Sequence, residues 1–375
     1  MRILLGVPEF PPHHIGWWGV VFESLAKEYQ KLWHDVLVIS GDYTKNNIFS
    51  LLVEKKENGI NIIRVPEFWT PIKVLNTVMP YPCRYNRRIK NIIENFNPDF
   101  VHIHWYGLFM PAQLANVVYG LWYKYVLTLH WAPVTPEKIK NILISWWYGF
   151  YNKFYGDDLL NNATSITAVS HYAKNFWVFE KYKNSIHVIW NGIIPEDYSS
   201  KAQIGVLQKY RIKKNKNSKI ILSLWRLERR KGFQEIIKKL PAMEKSYDVR
   251  YVIGGRDNGY KNELLKLAQK LWVEKRLYFI DFVSGEEKNS LIEESDIFAV
   301  PSISGETFWI SALEARYFKK PILTTFFWWL KDALKNYEHA YCIDEREKAF
   351  KPQIIQDEKI DEFFYKSIVK QYLSL

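Results

Sequence analysis

Residues 219–240 read KIILSLWRLERRKGFQEIIKKL. After one lysine, residues 220–225 are apolar except for Ser223, as a strand buried on both faces would be. Charged residues crowd positions 226–231, and after Gly232 the apolar residues recur at Phe233, Ile236, Ile237 and Leu240, one face of a helix. Strand, basic turn and helix together make the first half of a βαβ unit.

The same rhythm runs in both directions. Downstream lie VRYVIGG, KNELLKLAQKL, RLYFIDF, DIFAVP, a helix over 307–317 and KPILTT. Upstream lie RILLGV, FESLAKEYQKL, DVLVIS, GINIIRV, RRIKNIIENF, DFVHIH, YVLTLH and SITAVS. A polar, Lys- and Asn-rich linker at 191–218 separates the two series. The expected fold is α/β with two doubly wound units: an N-terminal domain over 1–195, a second over 196–350, and a C-terminal helical segment, 351–375, crossing back to the first. Carboxyl ends of the strands would then face a crevice, where a ligand is expected.

Composition narrows the classes. Apolar residues at 48% and charged residues at 25% are those of a folded globular chain, which excludes disorder and fibrous repeats. Cys83 and Cys342 stand alone, so neither a disulfide framework nor a zinc site is expected, and a reducing, cytoplasmic setting follows. The opening MRILLGVPEF reads as a first strand and not as a leader. A net charge of +12 favours anionic partners such as phosphates or an acidic bilayer, or reflects only a Lys-rich surface. No nucleic-acid-reading motif accompanies Arg84, Arg87, Arg88 and Lys90. The aromatic segment NILISWWYGFYNKFYG suits peripheral contact with the inner face of an anionic membrane, or a helix packed inside the first domain.

Three groups of residues carry candidate chemistry. In PSISGETFWISALEARYFKKPILTT, Glu306 and Glu314 are eight positions apart, so a loop followed by a helix can aim both carboxylates at one ligand. A solvated glutamate and a helix-stabilising one give the same spacing. Arg226 and Lys231 flank a strand-to-helix turn, a setting for a diphosphate, although basic strand ends are often plain surface. In the first half, His102 and His104 alternate along a strand, His130 ends another, and Ser170 follows a third. The two alternating histidines lack a carboxylate to complete a metal site. His130 suits sugar-hydroxyl contact or core packing.

In order, NPDFVHIHW, TLHWAP, ITAVSHYAKNF, VIWNGI, LSLWRLERRKGF, YVIGG, LYFIDFVS, DIFAVPS and GETFWISALEARYFKKPILTT resemble the group 1 family of retaining GT-B glycosyltransferases. The resemblance implies two Rossmann-like domains and transfer of a hexose from a nucleotide-diphosphate sugar to a glycan, lipid-linked or small-molecule acceptor, with no metal or other cofactor. It implies that Glu314 meets the ribose, Glu306 the donor hexose, Arg226 and Lys231 the diphosphate, and His130 the transferred sugar. Gly16 and Gly19 after the first strand, Ser170, Asn191, and the backbone of Phe308 and Trp309 complete the implied binding set. A sugar-nucleotide epimerase and a blocked sugar-nucleotide-binding protein are the alternatives.

One departure from the family pattern stands out. Trp17, Trp18, Trp33, Trp225, Trp272, Trp309, Trp328 and Trp329 occupy places where the family usually has glycine, at turns, helix ends and ligand-facing loops. The chain has 17 glycines in 375 residues, about 4.5% against a usual ~7%, and 16 tryptophans, so the surplus roughly fills the deficit. The pattern is that expected of an ordinary transferase in which particular glycines have become tryptophan, the alternative being a natural lineage rich in aromatic residues. Left-handed backbone is expected at the turn and cap positions, at a strain of ~1–3 kcal/mol each, with crowding of the ligand-facing loops.

Overall fold

In the computed structural model of the chain, residues 1–12, 18–42, 53–57, 59–67, 79–131, 142–198, 205–244, 246–283, 285–303, 306–325, 330–345, 357 and 359–375 are described. Gly16, Trp17, Trp328 and Trp329 lie outside them. The chain divides into two compact units, Met1–Asn191 with Tyr365–Leu375, and Gly192–Phe364.

In the first unit the strands are β1 (Arg2–Val7), β2 (Asp35–Asp42), β3 (Val53–Glu57), β4 (Ile60–Pro66), β5 (Phe100–His104), β6 (Val126–Leu129), β7 (Ser165–Ala168) and β8 (Ile186–Val188). They form one sheet in the order β3-β4-β2-β1-β5-β6-β7-β8, parallel except for β3 against β4. β1 pairs β2 on one side and β5 on the other, so the winding reverses between β1 and β5. Strand interiors are buried on both faces, which helices laid over a parallel sheet require. The C-terminal helix Tyr365–Leu373 packs against the helix Trp18–Lys31 and buries Tyr365, Ile368, Val369 and Tyr372. Its apolar residues recur at the helical spacing, which gives this last segment a reason to dock.

The second unit is a six-stranded parallel sheet of β9 (Ser218–Leu224), β10 (Asp248–Gly254), β11 (Leu277–Ile280), β12 (Ile297–Val300), β13 (Ile322–Thr324) and β14 (Ala340–Cys342). Their order is β11-β10-β9-β12-β13-β14, so its winding reverses between β9 and β12. The helix Phe233–Met243 buries Phe233, Ile236, Ile237 and Leu240, the four positions that the sequence spacing selects. Fully burying such side chains contributes roughly 1.5–3 kcal/mol each.

Helix ends account for part of the tryptophan surplus. Trp33, Trp122 and Trp272 have φ of 64°, 65° and 62° and are 93, 91 and 88% exposed. Each follows a helix and donates its N–H three residues back, to Gln30, Tyr119 and Gln269 respectively. The next residue's N–H bonds the carbonyl five back: His34 to Tyr29, Tyr123 to Val118, Val273 to Ala268. That pair of bonds defines a helix terminus whose left-handed residue is ordinarily glycine. The sequence pattern anticipated Trp33 and Trp272 but missed Trp122 and Trp105, whose φ is 89°. The other described positions are not left-handed. Trp309 has φ −110°, and Trp18 and Trp225 are not among the left-handed residues. Any glycine preference at those three places rests on space and not on φ.

The segment 142–156 is not wholly packed inside its unit. Within the helix Ile142–Tyr151, Trp147 and Tyr151 lie edge-on to Phe109, and Tyr151 is buried, while Ile142, Leu143 and Trp146 are exposed.

Candidate active site

In the second unit the chemistry gathers at the carboxyl ends of β9 and β12, where the winding reverses. Two loops are bound together there. Ile303 N–H and Ser302 Oγ both donate to the Arg230 carbonyl at 3.0 Å. Gly232 has φ 75°, and a Cβ on it would stand 1.8 Å from the Pro301 carbonyl oxygen, so only glycine permits this approach. That turn delivers Lys231 into the sheet end and starts the helix Phe233–Met243.

Lys231 is buried, with Nζ 2.5 Å from Glu306 Oε1 and 4.7 Å from the centre of the Trp309 ring. Arg230 donates to the same Glu306 oxygen and, 2.7 Å away, to Glu228. Arg226 is 3.4 Å from Glu228 and more than half exposed. Burial lowers the Lys231 pKa even though Glu306 opposes the change. Burial also works against Arg230, but Glu306 and Glu228 outweigh it and raise its pKa. The result is a ladder of three cations and two carboxylates beside a helix N-terminus, where a bound anion gains from the cations and the backbone dipoles.

Glu314 sits on the helix Ile310–Tyr317, buried, accepting from Tyr198 Oη at 3.0 Å and Lys288 Nζ at 2.6 Å. Glu306 and Glu314 thus have separate partners. Phe308 and Trp309 are both buried. The Trp309 indole stands edge-on to Trp225 at 5.1 Å, and its Nε1 has no hydrogen-bond partner. It neither swings outward nor lies open to solvent.

In the first unit, His130 follows β6 and is sealed from solvent. Its ring lies 5.0 Å from Trp18, 5.3 Å from Phe22 and 5.8 Å from Trp105, the last stacked. His130 Nε2 is 2.8 Å from His104 Nδ1. Burial pushes the His130 pKa down to about 3, and burial with the neighbouring histidines holds His102 and His104 well below the usual range. As the alternation along β5 predicts, the rings of His102 and His104 lie on one side, 4.0 Å apart. Both His102 nitrogens are engaged, by Tyr29 Oη at 3.1 Å and Thr128 Oγ1 at 2.7 Å.

The other expected residues are placed as follows. The Gly19 N–H, in the first turn of its helix, donates to the buried Glu9 carboxylate at 3.1 Å. Ser170 caps the helix His171–Lys174 by accepting from Ala173 N–H at 3.0 Å, so its hydroxyl has a structural task. Asn191 is buried with Nδ2 unpartnered. Sequence reasoning missed Glu228, Arg230, Lys288 and Tyr198. Only Arg230 had a signal, its place beside Lys231. Tyr198 and Lys288 reach Glu314 from 116 and 26 residues away.

Residues 207–363 match the family model described as glycosyl transferases group 1, and residues 19–197 that of glycosyltransferase family 4. An uncharacterized glycosyltransferase of Methanocaldococcus jannaschii is 24% identical over 351 residues, covering 90% of this chain and 83% of that one. The crystal structure of a glycosyltransferase from Rickettsia africae matches with a TM-score of 0.69 at 16% identity, over 100% of this chain and 97% of that one. Anabaena HepE in complex with UDP and glucose matches with a TM-score of 0.65 at 16% identity, over 100% and 98%. Among the described residues no helix is long and apolar enough to cross a membrane.

Proposed function

The chain belongs to the group 1 glycosyltransferases and has their GT-B fold, and on that footing we propose that it transfers a hexose, with retention of configuration, from a nucleotide-diphosphate sugar to a glycan, lipid-linked or small-molecule hydroxyl. The observation that carries this reading is the meeting of Lys231, Arg230 and Glu306 at the winding reversal of the second sheet.

The roles follow from the chemistry. As the bond to the sugar breaks, negative charge grows on the leaving diphosphate. Lys231, Arg226 and Arg230 supply fixed positive charge, and the helix N-terminus beside Gly232 adds its dipole. Removing one such donor costs ~3–4 kcal/mol of barrier. The acceptor hydroxyl attacks from the face the diphosphate leaves. Glu314 accepts from ribose hydroxyls, Glu306 stands near the hexose, and His130 faces the transferred sugar. Gly16, Gly19, Asn191, Ser170 and the backbone of Phe308 and Trp309 complete the binding set, with the Ser170 hydroxyl already taken by its cap. Protein cations do the work in this reading, so no metal takes part.

A uridine donor leads the test because HepE, a fold neighbour, was crystallised with UDP. Calorimetric titration with uridine, guanosine and adenosine diphosphate sugars is expected to show binding to one. Folded protein that binds none of them overturns the proposal. NMR of the product anomer tests retention, and transfer that survives a chelator tests metal independence.

The exposed face of Ile142, Leu143 and Trp146, with exposed Phe154 and exposed cations Arg84, Arg87, Arg88, Lys90 and Lys153 in the same unit, supports peripheral contact with an anionic bilayer. Flotation with acidic liposomes that is lost at high salt supports it, and no flotation at low salt removes it.

A second reading, a blocked sugar-nucleotide-binding protein, is favoured by the Trp309 ring beneath the Lys231 ammonium and by Trp18 against His130. Donor binding without transfer to any acceptor supports it.

A further inference from the structure

Among the described residues, His104 and His130 hydrogen-bond to each other and to no other group. Their shared contact joins His104 Nδ1 to His130 Nε2, while His104 Nε2 and His130 Nδ1 are buried without a hydrogen-bond partner. His102, beside them, has both nitrogens satisfied. A buried polar atom left without a partner costs ~1–3 kcal/mol, so two such atoms at the ends of one bonded pair call for an explanation.

Neutral imidazoles carry one proton each, and that rule fixes the arrangement. If His130 donates through Nε2–H, its Nδ1 is a bare acceptor and His104 carries its own proton on Nε2. If His104 donates through Nδ1–H, His130 carries its proton on Nδ1 and His104 Nε2 is bare. The two outer nitrogens are therefore always unlike. The first arrangement places both rings in the Nε2–H form, the more stable tautomer of an isolated neutral histidine side chain. Neither outer nitrogen has a hydrogen-bond partner to oppose that preference.

We propose that His104 is a positioning residue: by accepting the Nε2 proton of His130 it presents His130 Nδ1 as a bare acceptor for a hydroxyl of the bound sugar. The proposal rests on the reading of His130 as the residue facing the transferred sugar. Trp18, Phe22 and Trp105 close over His130 and its Nδ1 is buried, so a sugar hydroxyl reaches that nitrogen only where the partly buried Trp18 ring gives way. The ligand class is a neutral polyol carrying a donor O–H. A carboxylate or phosphate oxygen, having no proton to give, does not suit a bare nitrogen.

The test uses the full chain with 15N-labelled histidine, read by long-range proton–nitrogen correlation at neutral pH. His130 is expected to carry its proton on Nε2 and to be bare at Nδ1. In His104→Asn an amide oxygen replaces the Nδ1 acceptor, so the His130 tautomer and the turnover of donor sugar should be retained. In His104→Phe the acceptor is gone. His130 should then show mixed tautomers, and kcat should fall about tenfold with the donor KM unchanged, the loss of one ordinary hydrogen bond. Circular dichroism and thermal melting of each variant verify folding. A proton on His130 Nδ1 in the unaltered chain overturns the proposal, as does a His104→Phe variant whose His130 tautomer and kcat match the parent. The expected tautomers in a chain that turns over no sugar nucleotide support the pairing and overturn the transferase reading instead.

Discussion

Lys231 Nζ and Glu306 Oε1 stand 2.5 Å apart with side chains only 7 and 13% exposed, and Arg230 shares the same oxygen. A buried ammonium kept charged by one carboxylate is placed to exchange that partner for a diphosphate. Lys231→Ala is expected to lower kcat about a hundredfold or more, with a smaller change in donor affinity. Glu314→Ala should instead weaken donor affinity, and it leaves Lys288 without its carboxylate. Steady-state kinetics on both variants check this. Two variants that differ from an active parent only in melting temperature would remove the assigned roles.

Gly232→Ala is a sharper test of the loop junction. Its Cβ meets the Pro301 carbonyl at 1.8 Å and its φ of 75° suits glycine, so the two loops must separate. A loss of about 2–4 kcal/mol in stability is expected from strain and overpacking. Donor binding should fall with it, because the displaced loop carries Lys231. Chemical denaturation and calorimetry measure the two effects.

The exposed tryptophans make the opposite prediction. Trp33→Gly, Trp122→Gly and Trp272→Gly should each stabilise the chain by about 1 kcal/mol by relieving left-handed strain. Their effects should add, since the three cap different helices. Alanine at the same places retains the Cβ and should recover less than half as much. Equal gains from alanine and glycine would point to the exposed indole itself as the source.

Acid should destabilise the first unit through its histidines. His130 is held neutral down to about 3, whereas in the unfolded chain it takes a proton near 6.5. Between those values the unfolded state binds the extra proton, so stability falls as pH is lowered, by ~1.4 kcal/mol per pH unit for each such histidine. His102 and His104, also lowered by burial, add in the same direction. Urea midpoints between pH 7 and 5 test the slope, and His130→Gln should flatten it by one histidine's share.

Trp18 is the wall over His130 that can be removed with least disturbance, because it opens its helix and is only partly buried. Trp18→Gly should raise the His130 pKa toward the ordinary value as water reaches the ring. In the other unit, Trp309→Gly should by itself raise donor turnover by freeing the space that its ring fills beneath the Lys231 ammonium. Full activity in the unaltered chain, with no gain from either change, would show that both indoles belong to the working site.

The two doubly wound sheets were legible in the sequence because parallel strands buried on both faces are continuous apolar runs and their covering helices keep a 3.6-residue period. The segment 219–240 fixed the placement of Lys231 in the same way, since a strand, a tight glycine turn and a helix admit few geometries. Excess tryptophan against scarce glycine was also visible as composition. Which indoles are strained was not, because φ depends on how each helix ends: Trp33, Trp122 and Trp272 are left-handed, while Trp309 is not. Nor was the pairing of side chains far apart in sequence. His104 meets His130 because β5 and β6 are neighbours in register, with His104 opposite Thr128. Tyr198 and Lys288 meet Glu314 because separate elements converge on one helix. Local periodicity determines what a segment becomes, but a hydrogen bond needs two atoms within about 3 Å, and for distant residues only the packed sheet brings them so close.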